Sequence, residues 1–346
     1  MALRTKGSAP LRSVHKRLTQ SVSRFKQRIM ELNLPIFTQL APCQNVLIAG
    51  MGGGFDTFCG LPLYFELQRR GQKAHLANFS FSDIVSCTHG TRLTDTLVGV
   101  TADYNGLVLY FPELYLAQWF EEKRREAITV WCFQKTGARP LLENYRVLLN
   151  HLSIDGILLI DGGVDSLIQG DEAGTGTLIE DATSLFVVNE LKHLPVRIVA
   201  CIGFGAEQDL AYAHVLENIA VLTQDGGFLG ACALTPHMEA YQAYEEAVLY
   251  VQGKDWQDAS VINSSIISAV QGHYGDYHLT KKTRGSRLWI SPLMSIYWFF
   301  DAPILAQRNL YLSQLRETET FMDALQKYMS YAGYIPRRPH ARIPLP

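Results

Sequence analysis

The chain has no uninterrupted apolar run of about 18 or more residues, so no transmembrane helix is expected. No apolar core succeeds its basic start, which argues against a secretory leader. Cysteine is sparse and unpaired. The six residues Cys43, Cys59, Cys87, Cys132, Cys201 and Cys232 include no C-x-x-C, and several sit inside apolar runs. This excludes a zinc ribbon and a disulfide framework, and it suits buried thiols in a reducing, cytoplasmic setting. Internal repeats and low-complexity tracts are also lacking, as are the G-x-S-x-G elbow, the H-E-x-x-H helix and any cysteine-nucleophile signature.

Acid is missing from the first thirty residues. They hold eight of the 31 basic residues (Arg4, Lys6, Arg12, Lys16, Arg17, Arg24, Lys26, Arg28) and none of the 33 acids. The remaining 23 basic residues therefore face 33 acids, a balance of −10, so a basic arm precedes an acidic body. Within the arm Leu11, Val14, Leu18, Val22, Phe25, Ile29 and Leu32 recur at spacings of three and four, one stripe of an amphipathic helix. Docking on the body or on a second subunit is the leading reading, and the latter makes a homo-oligomer. An organelle transit peptide and membrane-surface binding are alternatives; nucleic-acid binding ranks low.

Beyond the arm, apolar β-type runs alternate with amphipathic stretches, the pattern of βαβ units. Strands are expected at Asn45–Ala49, Lys73–Phe79, Gly106–Phe111, Ala127–Phe133, Gly156–Ile160, Val196–Ile202 and Phe228–Ala233. Helices are expected near Leu61–Arg70, Glu113–Glu126, Pro140–Leu152, Thr177–His193, Asp209–Gln224 and Pro236–Gln252. The fold class is α/β, a doubly wound, mainly parallel, Rossmann-like sheet. A C-terminal α+β appendage begins at about residue 256. The domains are the arm at 1–43, the α/β body at 44–335 and an irregular tail at 336–346.

Ligands in such sheets bind beyond the carboxyl ends of the strands, and three of those ends are rich in glycine and acid. After Asn45–Ala49 comes Gly50-Met-Gly52-Gly53-Gly54-Phe-Asp56, where bare backbone can face a ligand. It is neither a dinucleotide fingerprint, because Phe55 stands where glycine or alanine belongs, nor a P-loop, because Lys-Ser/Thr is missing. Asp56 reads either as a helix N-cap or as a direct ligand group. After Gly156–Ile160 comes Asp161-Gly162-Gly163-Val-Asp165, with Gly170-Asp-Glu172 close behind. Crowded carboxylates repel unless neutralised, so Asp161 and Asp165 are candidate ligands for Mg or Mn, with a solvated acidic loop as the alternative. The third end is Gly203-Phe-Gly205-Ala-Glu207-Gln-Asp209, whose acids could simply cap the next helix. Among the histidines, His89 and His273 lie in glycine-flanked loops and are the acid–base candidates.

The blocks Gly50–Asp56 with Gly60-Leu-Pro62, Ile160–Asp165 with Gly170–Glu172, Gly203–Asp209, and Gly226-Gly-Phe-Leu-Gly-Ala231 with Leu-Thr-Pro236 resemble, in order, a family catalogued as domain of unknown function 1152. The resemblance spans about residues 44–330. It implies a Rossmann-like α/β fold and no established activity. Phe55 replaces a glycine expected in the turn, and Phe79–Leu97 does not match.

Taken together, these features point to an enzyme for a small anionic, phosphate-bearing or nucleotide-like substrate. The glycines 50, 52, 53, 54, 162, 163, 203 and 205 would hold the ligand. Asp56, Asp161 and Asp165 would orient the reacting group for hydrolysis or transfer, with a divalent ion as helper. A non-catalytic sensor using the same cleft is the alternative, and a nicotinamide enzyme ranks third.

Overall fold

The computed structural model describes residues 35–87, 89–104, 109–172 and 178–343. The expected basic helix of the arm falls outside them. Nine strands form one sheet: β1 (Asn45–Gly50), β2 (Lys73–Ser80), β3 (Thr91–Thr94), β4 (Leu97–Val100), β5 (Val130–Gln134), β6 (Gly156–Gly162), β7 (Val196–Ile202), β8 (Phe228–Ala233) and β9 (Ile296–Asp301). Their order is β3-β4-β5-β2-β1-β6-β7-β9-β8. The five central strands, β5-β2-β1-β6-β7, are parallel, and the pairs outside them are antiparallel. This is a mixed α/β fold built on a large, mostly parallel sheet.

The central strands are apolar on both sides because helices cover both. Successive residues point to opposite faces of a strand. Leu47 and Ala49 accordingly enter one core with Ile157 and Leu159, while Val46 and Ile48 enter the other with Leu158 and Ile160. The helix Ala138–Leu152 shows how the faces are closed. Leu141, Tyr145, Leu148 and Leu149 recur at helical spacing and are buried against the first core, and the chain leaves the helix through Ser153 at φ 54°. Each such side chain contributes roughly 1.5–3 kcal/mol by leaving water. Leu148→Asp would break that packing.

From β1 the chain goes to β2 and β5 on one side, and then crosses back to β6 and β7 on the other. The carboxyl ends of β1 and β6, which are neighbours with Gly50 opposite Ile160, therefore border the gap where the connections diverge. The candidate site lies beside that gap.

Differences from the sequence expectation lie at the margins. Residues 109–111 form no strand, and the described part of the expected Gly106–Phe111 run leads straight into the helix Pro112–Trp119. The sheet edge is instead the hairpin β3–β4, whose four-residue strands are too short to stand out from their polar flanks. The aromatic run Tyr297–Phe300 does more than append to the sheet, since as β9 it sits between β7 and β8. Residues 35–40, expected in the arm, form a helix with Ile36 and Leu40 buried in the body's core. Among the described residues no helix is long and apolar enough to cross a membrane. All six cysteines are free thiols.

Candidate metal centre

The turn after β1 is held closed from three directions. The Met51 amide donates to the Ile160 carbonyl at 2.9 Å, the Asn78 side-chain amide donates to the Gly54 carbonyl at 2.9 Å, and the Ser184 hydroxyl donates to the Met51 carbonyl at 2.9 Å. Ser184 belongs to the helix Leu178–Glu190, so that bond docks this helix on the turn. Asp56 opens a short helix, Asp56–Cys59, but its carboxylate bends back to accept the Gly52 amide at 2.6 Å. Pro62 begins a second helix, Leu61–Arg69, at its first turn, where a missing N–H costs nothing. A side chain at position 52 would place its Cβ 2.7 Å from both Asp56 Oδ2 and Asp181 Oδ1, and one at 162 would stand 2.7 Å from Asp56 Oδ1. Only glycine lets the carboxylates approach there.

Asp161 is the penultimate residue of β6 and is 2 % exposed. Its Oδ2 accepts the amide and the hydroxyl of Ser166, whose oxygen lies 3.3 Å from Cys201 Sγ. Asp165 begins a 3-10 turn just beyond. Oxygens of Asp161, Asp165 and Asp181 all lie within 4.8 Å of one another, a spacing that fits one cation. Glu207, from the loop after β7, joins the group, with Oε2 accepting the Val164 amide at 2.9 Å. Asp161, Asp165 and Asp181 are buried, whereas Asp56 and Glu207 remain partly accessible.

Asp181 is the decisive residue. It is 1 % exposed, and neither of its oxygens meets a hydrogen-bond donor. Its contact with Asp165 is carboxylate against carboxylate, which becomes a hydrogen bond only if one of them carries a proton. Among the described residues, no lysine or arginine forms an ion pair with Asp56, Asp161, Asp181 or Glu207. Burial, followed by the charge of Asp165, pushes the Asp161 carboxyl up to about 8. Burial and the charges of neighbouring aspartates likewise raise Asp56, Asp181 and Glu207 well above the carboxylate range. A buried ionised carboxylate without partners is expensive, and the three carboxylates offer oxygen donors to one cation. The residues could hold a metal ion.

The structure brings Asp56, Asp161, Asp165, Gly52 and Gly162 together, and Gly163 lies against the Glu207 carboxylate, 2.9 Å from where its Cβ would stand. Gly50 packs its bare Cα against Asn78, and Gly53 against Phe81. Gly54, at φ 58°, faces the Tyr110 hydroxyl. Gly203 and Gly205, with φ of 99° and 102°, turn the third loop but face Ile262 and Met294, so that loop contributes through Glu207. The histidines stand apart. His89 precedes β3, four strands from β1 or roughly 19 Å at the usual spacing, with its ring edge-on to Tyr104. His273 stacks on Tyr277 at 3.6 Å, beyond the C-terminal end of the helix Val261–Val270. The other end of that helix carries Asn263, which reaches Cys59 Sγ, so roughly 15 Å of helix intervenes. Sequence reasoning missed Asp181 and left Glu207 as a cap. The available signal for Asp181 was a carboxylate in the same helical stretch as the apolar residues Ala182, Leu185 and Val188, all of them buried.

Fold and site thus define an α/β protein with a cluster of buried carboxylates beyond the carboxyl ends of its parallel strands. The model of the family described as protein of unknown function (DUF1152) matches residues 114–335. The chain belongs to that family. The matched span includes Asp161, Asp165, Asp181 and Glu207, while the turn at 50–56 precedes it. No curated protein and no solved structure matches the chain.

Proposed function

We propose that the protein is an enzyme that binds a divalent cation, Mg or Mn, through Asp161, Asp165 and Asp181. The cation serves hydrolysis or group transfer on a small phosphate-bearing or nucleotide-like anion. The single observation that carries this reading is Asp181, a buried carboxylate with two unpartnered oxygens facing two further carboxylates. Placement supports it. The parallel run β5-β2-β1-β6-β7 supports reading the sheet as doubly wound and Rossmann-like, a class whose ligands bind where the connections diverge. Lys135 Nζ, just past the end of β5, pairs with Glu180 at 2.6 Å on the helix that carries Asp181, which puts a lysine within reach of this rim.

When bound, the cation supplies Lewis acidity to a phosphoryl oxygen and lowers the pKa of a coordinated water. The chain orients its ligands: Ser166 fixes Asp161 and Gly52 fixes Asp56. Turnover of a panel of phosphate-bearing small molecules tests the proposal. Activity should vanish on chelation, return with Mn²⁺ or Mg²⁺, and fall about 100-fold or more in a folded Asp161→Asn. Undiminished activity in both Asp56→Asn and Asp161→Asn would reject it.

A further inference from the structure

The geometry points to a second divalent cation in the same cluster of carboxylates, held by Asp56 and Asp181 on the glycine-turn side and completed by the phosphate of the substrate. This rests on the first cation proposed above. An ion among Asp161, Asp165 and Asp181 takes one oxygen from each, which leaves Asp181 a second oxygen with no donor. Asp181 Oδ1 and Asp56 Oδ2 are each 2.7 Å from the point where a Cβ on residue 52 would stand, so they lie at most twice that distance apart. Glycine keeps the space between them clear. The Gly52 amide, bonded to Oδ2, fixes the direction in which Asp56 points.

Accessibility distinguishes the two positions. Asp161, Asp165 and Asp181 are buried, but Asp56 and Gly52 are partly exposed, so the second position is the more accessible. Two carboxylates give an incomplete set for magnesium or manganese, which prefer six oxygens; such ions keep waters and take up phosphate oxygens from a ligand. Asp181 would bridge the pair, at the separation of roughly 3.5–4 Å usual in two-metal phosphoryl sites. The substrate class is then an accessible phosphate group able to span both ions.

Manganese counting on the full chain, stripped by chelation, decides the matter. Free Mn²⁺ is followed by electron paramagnetic resonance, with and without inorganic phosphate. One Mn²⁺ per chain is expected alone and two with phosphate, accompanied by a spin-coupled spectrum. Asp56→Asn should keep the first ion within about threefold of its affinity and lose the second, and Asp181→Asn should weaken both. A wild-type count that stays at one with phosphate present overturns the second site and leaves the first standing. A count of zero overturns both. Should Asp56→Asn fail to fold, the wild-type count still decides.

Discussion

Glu172 and Asp181 flank residues 173–177, and each is 1 % exposed, yet their surroundings are opposite. Glu172 accepts the amides of Gln169 and Gly170 at 2.9 and 2.6 Å, the Asn218 side chain at 2.7 Å and the Arg338 guanidinium at 2.7 Å. Burial works against its charge, but the bonds from Gln169, Asn218 and Gly170 outweigh it, and its carboxyl lies below its ordinary value. Arg338 also reaches Asp171 and Glu217, and Arg337 donates to the carbonyls of Gly170 and Glu172, so the tail, irregular in its described part, is fastened here. Asp181 has no donor at all. The contrast separates an acid that the fold uses from one that the fold leaves unsatisfied, and an unsatisfied buried charge calls for a ligand.

Among substitutions the largest effect should come from breaking the satisfied side. Glu172→Gln removes the buried one of the three carboxylates around Arg338 and breaks part of a buried network, and should cost about 2–4 kcal/mol in urea unfolding while leaving Mn²⁺ affinity within a few-fold. Asp181→Asn should do the reverse. By removing one of several crowded buried carboxyls it should stabilise the metal-free protein by roughly 1–3 kcal/mol and strongly reduce the stabilisation that Mn²⁺ confers. Equal destabilisation by the two variants would dissolve the contrast.

The most diagnostic effect is on pH. Asp161 titrates at about 8 when folded and near its ordinary 3.8 when unfolded, so between those values the folded state holds the extra proton. Stability of the metal-free protein should therefore be greatest below about pH 4 with respect to this group, fall as pH rises, and level off above about 8. Saturating Mn²⁺ should flatten or invert the slope, since the ion replaces the proton. Thermal midpoints between pH 5 and 8, with and without Mn²⁺, measure it.

Much of the frame was legible in the chain. Val196–Ile202 is read to the residue and Asn45–Gly50 to within one, because strands buried on both faces are continuous apolar runs. Asp56, Asp161 and Asp165 stood out as acids close behind those runs. The hairpin β3–β4 did not, because its short strands are edge elements whose pairing with β5 supplies most of their reason to form. His89 and His273 were drawn in by flanking glycines, a local cue that carries no information about distance.

The sequence by itself determined an acidic α/β body with carboxylates at successive strand ends, since periodicity and strand termini are local properties of the chain. Only the tertiary structure decided which acids meet. Asp181 arrives on a helix docked to the β1 turn by Ser184, and Glu207 arrives from the loop beyond β7. Convergence depends on strand order and helix docking, and these are settled by long-range packing that no single segment encodes.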